Sequence, residues 1–163
     1  MDNDLDDFVK SRFDFRYFVT PFEPLTLAWI GRAGYIHPFS ASGKVYEDQL
    51  FFSGGIASVR GYRENMLRFD ADGNPVGGLS AVSASMEARF DVGHNFEVTT
   101  FFDSGRVSRA LKNAGSDEFR NSVGVGLRYH TPIGPVGLLY GHKLDPRPDE
   151  STGRWYFTIG YTF

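Results

Sequence analysis

Several features that define common protein classes are missing from this sequence. None of its 163 residues is cysteine, which excludes a disulfide scaffold, a thiolate metal site and a cysteine nucleophile. No stretch approaches about 18 uncharged apolar residues, so no membrane-spanning helix is predicted. The first residues, MDNDLDDFVK, lack the basic and then apolar layout of a signal peptide. The formal net charge of −3 argues against nucleic acid as a partner.

What the sequence does have is an alternation of apolar and polar side chains with a period of two. Along residues 9–19 the odd positions are mostly apolar: Val9, Ser11, Phe13, Phe15, Tyr17 and Val19. Alternation over this length predicts a β-strand with one apolar and one polar face. The pattern recurs six times. The sequence therefore predicts seven strands, at residues 9–19, 25–35, 82–90, 96–103, 120–130, 136–145 and 154–163.

The length of these strands favours an antiparallel transmembrane β-barrel segment. Strands of water-soluble proteins most often have roughly 5–6 residues, whereas a tilted strand that crosses a bilayer has roughly 9–11 residues. Short turns also alternate with longer loops, as in outer-membrane barrels. The alternative is a soluble sandwich or lipocalin-like barrel with its charged face outward. Against it, four glycines lie on the polar face, where they would let a loop or plug approach the wall: Gly124, Gly126, Gly137 and Gly141.

An odd number of strands has a consequence for closure. A bacterial single-chain barrel closes with an even number of antiparallel strands. Either one strand escapes recognition or the chain is part of a larger barrel. We therefore expect this chain to be a piece of a larger barrel, to self-associate, or to lie beside a chain that supplies the missing strands.

The long irregular segment at about 38–77 contains the motif Val59-Arg60-Gly61-Tyr62. Glycines at positions 54, 55 and 61 allow the chain to fold back sharply here. Glu87 and Asp103 lie on the polar faces of neighbouring predicted strands, and two carboxylates can hold one planar guanidinium from both sides. Arg60 is therefore a candidate partner for both acids. The alternative is a solvated arginine above acids that line a wet lumen.

Signals for catalysis and for metal binding are weak. The sequence has no GxSxG nucleophile elbow, and its four histidines are too scattered to form a metal-ligand pair. The segment DADGN at residues 70–74 lacks the terminal bidentate glutamate of a calcium loop, so we interpret it as a turn. No enzyme activity, metal or cofactor is predicted.

Five segments, taken together and in order, resemble a known family. They are FFSGGIASVRGY, SMEARF, FFDSGRV, GVGLRYHTPIGPV and GRWYFTIGYTF. Over residues 25–163 the chain resembles the C-terminal part of the BamA/TamA outer-membrane assembly superfamily, the bacterial surface antigen family. The resemblance implies that residues 1–163 are the C-terminal portion of a sixteen-stranded barrel, with further strands and periplasmic POTRA domains upstream. It also implies that the VRGY loop enters the lumen and that Arg60 meets the two acids.

The function implied by the resemblance is insertion or translocation of outer-membrane proteins through a barrel with a weak lateral seam. The implied location is the outer membrane of a Gram-negative bacterium, with the lipid bilayer and unfolded outer-membrane proteins as partners. The aromatic C-terminus would be both an assembly signal and one side of the seam. Its residues are Trp155, Phe157, Ile159, Gly160, Tyr161 and Phe163. Glycine weakens strand pairing, so Gly160 marks a possible bend.

Two alternatives to this function stay open at the level of sequence. Within the family, a two-partner secretion transporter or a patatin-linked pore shares the VRGY loop. Outside it, a plain small barrel would serve as a porin or an anchor.

Overall fold

The structure is a computed structural model that describes residues 7–39, 44–109, 118–148 and 150–160. These residues form seven antiparallel β-strands and one short 3-10 helix, Glu47–Gln49. The strands are β1 (Phe8–Phe22), β2 (Leu25–Pro38), β3 (Ser80–Gly93), β4 (Phe96–Ser108), β5 (Arg120–Thr131), β6 (Gly134–Lys143) and β7 (Gly153–Ile159). The all-β prediction is confirmed. No helix in the described part is long and apolar enough to cross a membrane.

The strands pair in chain order, β1 to β7, in one sheet. Tight turns join β1 to β2, β3 to β4 and β5 to β6, while residues 39–79 separate β2 from β3. β2 and β3 nevertheless pair in continuous register, from Leu25 with Phe90 to Tyr35 with Ser80. Within the described residues β1 and β7 are the two edges of the sheet, and they do not pair with each other. The sheet is therefore open, as the odd strand count predicts.

The two faces of the sheet have opposite character. The outer face carries large apolar side chains that stay exposed on every strand except β2, including Phe13, Met86, Val125, Leu138 and Phe157. The inner face carries polar and charged side chains that are buried: Glu87, Arg89, Thr99, Asp103, Ser122, Arg128 and Thr158. A soluble sheet buries its apolar face, so this arrangement contradicts the sandwich alternative. It is the arrangement of a barrel wall with lipid outside and a polar lumen.

The connection between β2 and β3 covers the inner face with its residues 44–79, which we call the inner loop. Its buried side chains Val59, Tyr62 and Leu67 form an apolar cluster with Val107 of β4. The wall leaves room for the loop at glycine positions: a methyl group at Gly105 would lie 2.6 Å from Cγ2 of Val59. The core of this chain is therefore the interface between loop and wall.

Three of the four glycines singled out on the polar face make room for the wall's own side chains. A methyl group at Gly124 would collide with the ring of Phe101, and one at Gly126 would lie 2.9 Å from Cγ of Leu139. One at Gly137 would lie 2.8 Å from Oγ1 of Thr158. Only the fourth, Gly141, contacts the inner loop directly.

Candidate functional site

Arg60 lies at the centre of the interface between the inner loop and the wall. Its Nε and Nη2 atoms each donate to a different carboxylate oxygen of Asp103 on β4, both at 2.7 Å. Its Nη1 atom donates to Oε1 of Glu87 on β3. The backbone N–H of Arg60 donates to Asp103 as well, at 3.0 Å. The structure thus brings together the three residues that the sequence analysis combined.

This site is closed to water. The exposed fraction is 4% for the Arg60 side chain and 0% for both acids. A guanidinium and two carboxylates keep their charges at such a depth only when hydrogen bonds replace their hydration. Here the Arg60 side chain donates four hydrogen bonds, because Nη2 also donates to Oγ of Ser85 at 2.9 Å. We call this contact of Arg60 with Glu87 and Asp103 the clamp.

The local sequence explains how Arg60 reaches this position. Gly54, Gly55 and Gly61 all have positive φ, between 94° and 110°, which non-glycine residues rarely adopt. Gly61 then lies directly against Gly141 of β6, because a methyl group at Gly141 would sit 2.5 Å from the Gly61 nitrogen. The motif needs glycine on both the loop and the wall.

A ring of further charges surrounds Glu87, and sequence reasoning missed it. Arg89 Nε donates to Glu87 Oε2 at 2.8 Å, and Arg128 Nη2 lies 3.8 Å from Oε1. Arg128 in turn donates through Nη1 to Glu97 at 2.9 Å. Arg89 and Arg128 share the polar face of the alternation with Glu87, so the alternating pattern of the sequence could have placed them near it. Three guanidiniums thus face three carboxylates, since Asp103 completes the set.

The other residues of the VRGY motif have distinct positions. Val59 is fully buried in the apolar cluster, and Gly61 packs against the backbone of β6. Tyr62 is also buried, and its hydroxyl donates to Oδ1 of Asp145 at 2.5 Å. Burial, together with this hydrogen bond, raises the pKa of Tyr62 above its ordinary value.

A second ion cluster lies beside Tyr62. Arg120 and Lys143 both lie over the Tyr62 ring, 4.7 and 4.9 Å from its centroid. Both also contact Glu150, with Arg120 Nη2 at 2.6 Å and Lys143 Nζ at 3.2 Å from Oε2. Burial raises the pKa of Glu150, but the hydrogen bonds and charges of Arg120 and Lys143 lower it more, so the net pKa is below its usual range.

The C-terminal residues are only partly within the described region. Trp155, Phe157 and Ile159 project from the outer face of β7, each more than 60% exposed. Gly160 still donates its N–H to the Pro135 carbonyl at 2.7 Å, but its φ of 86° departs from the extended conformation. Tyr161 and Phe163 lie outside the described residues.

Comparisons with known proteins agree with this geometry. The profile of the Omp85 superfamily domain matches residues 3–163. The chain belongs to the Omp85 superfamily. It is 29% identical, over 97% of its length, to the outer membrane protein assembly factor BamA of Nitratidesulfovibrio vulgaris, and 25% identical, over 85%, to BamA of Neisseria meningitidis serogroup B. It is 28% identical, over 80%, to outer envelope protein 80, chloroplastic, of Arabidopsis thaliana.

The Omp85 assignment extends to the fold. A crystal structure of BamA from Haemophilus ducreyi lacking POTRA domains 1–3 superposes with a TM-score of 0.75 at 20% identity. That match covers 94% of this chain and 35% of the other. Our chain spans about a fifth of the curated relatives, between 18% and 22% of their lengths. The predicted family and barrel fold are thereby confirmed, and membership in this family agrees with the predicted outer-membrane location.

Both bacterial relatives named above are outer membrane protein assembly factors, and neither is named as a secretion channel. Among the described residues no group of three or more histidine and acidic side chains is arranged to hold a metal ion.

Proposed function

We propose that this chain is the C-terminal wall and plug loop of an outer-membrane barrel that assembles other proteins into the membrane. The observation that carries the proposal is the clamp of Arg60 between Glu87 and Asp103. Support also comes from relatives that are named as outer membrane protein assembly factors. The partners in this proposal are unfolded outer-membrane proteins, the lipid bilayer, and upstream strands with POTRA domains.

The clamp would give the inner loop one defined seat during the assembly cycle. Contacts between the loop and the wall extend from β2, where the Phe51 ring lies against Gly34, to β6, where Gly61 lies against Gly141. Buried ion pairs contribute little net stability, but they fix one arrangement because a displaced charge stays unpaired. A seated loop would hold the wall in the shape that receives a client strand.

The sheet edge would supply the mechanism of insertion. An edge strand presents unpaired backbone N–H and C=O groups, which are a template for another strand. Pairing of a client strand with such an edge is β-augmentation. In the proposed seam the edge would be β7, whose described pairing with β6 runs from Gly153 to Ile159. No covalent chemistry is needed.

The proposal can be tested by removing the clamp from the complete protein. Arg60→Ala leaves the buried Asp103 without its arginine partner and takes one of three arginines from Glu87. Removing one partner of a buried ion pair typically costs about 3–5 kcal/mol. We expect insertion of an unfolded β-barrel client into phospholipid vesicles, read by protease protection, to fall at least about tenfold. Insertion by the Arg60→Lys protein should fall too, because an ammonium cannot reproduce the planar array of donors of a guanidinium.

The matched control is Arg63→Ala, which removes a charge from an exposed position on the same loop. It should insert clients at the original rate. Heat-modifiable migration on gels checks that every variant still forms a barrel. Unchanged insertion by the folded Arg60→Ala protein would contradict the proposal.

A further inference from the structure

The hydroxyl of Tyr156 joins the last strand to the inner loop. Tyr156 lies on the inner face of β7, where its oxygen accepts from the Gly61 N–H at 2.9 Å. The same hydroxyl donates to the Tyr62 carbonyl at 2.6 Å. One hydroxyl thus satisfies a donor and an acceptor from consecutive residues, which a tyrosine can do and a phenylalanine cannot.

This contact comes directly after the Arg60 clamp along the loop. Arg60 is held by β3 and β4, while Gly61 and Tyr62 are held by β7. The loop has little freedom to move between the Arg60 contact and the Tyr156 contact, because Gly61 also lies against the backbone of Gly141 on β6. A displacement of the loop by more than a hydrogen-bond length therefore breaks the contact with β7 or pulls the strand with it.

β7 has few other restraints within the described residues. It pairs with β6 alone, and its outer side chains Trp155, Phe157 and Ile159 are largely exposed. On its inner face, Thr158 makes only a long bond of 3.4 Å to the Gly137 carbonyl. Tyr156 is thus the described inner-face side chain through which β7 and the loop share hydrogen bonds.

We propose that Tyr156 is a positioning residue that couples the seat of the VRGY loop to the pairing of the last strand. Coupling of this kind is reciprocal: freeing the loop loosens β7, and loosening β7 frees the loop. The inference rests on the proposed function, because it assigns the residue by which the plug would sense or control the seam. It also states that the loop and the strand move as one element.

The test is hydrogen–deuterium exchange on the complete protein in detergent micelles, without any client. Tyr156→Phe removes only the hydroxyl, and we expect exchange in loop residues 59–63 and in β7 to rise about fivefold. Arg60→Ala should raise exchange in β7 about fivefold when Tyr156 is present, although the side-chain hydrogen bonds of Arg60 go to β3 and β4. In the Tyr156→Phe background the same change should add less than about twofold.

This non-additivity separates coupling from a merely structural role. If Arg60→Ala raises β7 exchange by the same factor in both backgrounds, the two effects are independent and the inference is wrong. The control Tyr129→Phe removes a hydroxyl from the outer face of β5 and should leave the loop and β7 unchanged.

A second measurement keeps the test decisive if Tyr156→Phe fails to fold. Arg60→Ala alone should then raise exchange in β7 more than in β5, and an equal rise in both strands would overturn the inference. Since no client is present, the result does not depend on insertion activity. A protein that inserts nothing can still show the coupling, so failure of this inference and failure of the proposed function are distinguishable.

Discussion

The guanidinium carbon of Arg60 lies 3.5 Å from the centroid of the Phe101 ring, so the clamp has an aromatic floor. Phe101 is buried on the inner face of β4, between Asp103 and Thr99 in the alternation. Its ring fills the space above Gly124 of β5, where any larger residue would collide with it. Stacking on this aromatic face adds a cation–π attraction to the ion pairs that Arg60 makes with Glu87 and Asp103.

Phe101→Leu should therefore weaken the seat of the loop without removing any charge. Desolvated cation–π contacts contribute about 2 kcal/mol, and the smaller side chain also leaves a void above Gly124. We expect the free energy of unfolding of the complete barrel in urea to fall by about 2–4 kcal/mol. Phe102→Leu is the control, because Phe102 is the neighbouring residue on the exposed outer face. Equal losses in the two variants would show that the stack contributes nothing specific.

Much of this fold could be predicted from the sequence because alternation is a local signal. It places Glu87 and Asp103 on one face of neighbouring strands, and the glycines beside Arg60 mark where the chain turns back. The predicted loop at 38–77 agrees closely with the observed 39–79. The strand ends are less accurate: β1 continues to Phe22 and β4 to Ser108. The predicted end of the last strand, at residues 161–163, lies outside the described residues.

The contacts of Tyr62 and Tyr156 could not be predicted in this way. Tyr62 bonds Asp145, 83 residues away, and Tyr156 bonds the loop across 94 residues. Such contacts depend on the path of the loop over the sheet, which no local pattern encodes. The floor under Arg60 depends likewise on Phe101 leaning over a glycine in the next strand.

Gly141→Ala should lift the loop from the wall. The added methyl group would lie 2.5 Å from the Gly61 nitrogen and 2.8 Å from the Arg60 carbonyl carbon. These are backbone atoms, so no side-chain rotation relieves the clash, and overpacking of this kind costs about 1–3 kcal/mol. We expect faster proteolysis within the inner loop of the folded barrel.

The control for this variant is Gly31→Ala. A methyl group at Gly31 would meet only Cβ of Phe15, at the ordinary distance of 3.9 Å. Loop proteolysis should match that of the unchanged protein. If Gly141→Ala behaves like Gly31→Ala, the close approach of loop and wall is not needed to seat the loop.

The Glu150 cluster predicts a pH dependence of stability. The pKa of Glu150 is lower in the folded protein than in the unfolded chain, because Arg120 and Lys143 outweigh the effect of burial. Its contribution is therefore fully present above the unfolded pKa of about 4.3 and is lost as pH falls through the folded value. Urea unfolding between about pH 6 and pH 3 should show this loss, and Glu150→Gln should reduce it.

Gly160→Val tests whether the end of the last strand is built to open. A methyl group at Gly160 would meet nothing within 4 Å among the described residues, so lack of space does not require glycine there. The backbone conformation, with a φ of 86°, does require glycine, because a β-branched residue is strained in that region and favours the extended conformation. Valine should therefore straighten the chain at position 160.

If the seam must open, this straightening should raise the stability of the barrel and lower the rate of client insertion into vesicles. Cysteine pairs that crosslink the first and last strands of the complete barrel should block insertion, and reduction should restore it. Ile159→Val is the control, because Ile159 is an exposed outer-face residue that already lies in the extended strand. Full insertion by both the Gly160→Val protein and the crosslinked protein would show that the last strand is a passive wall.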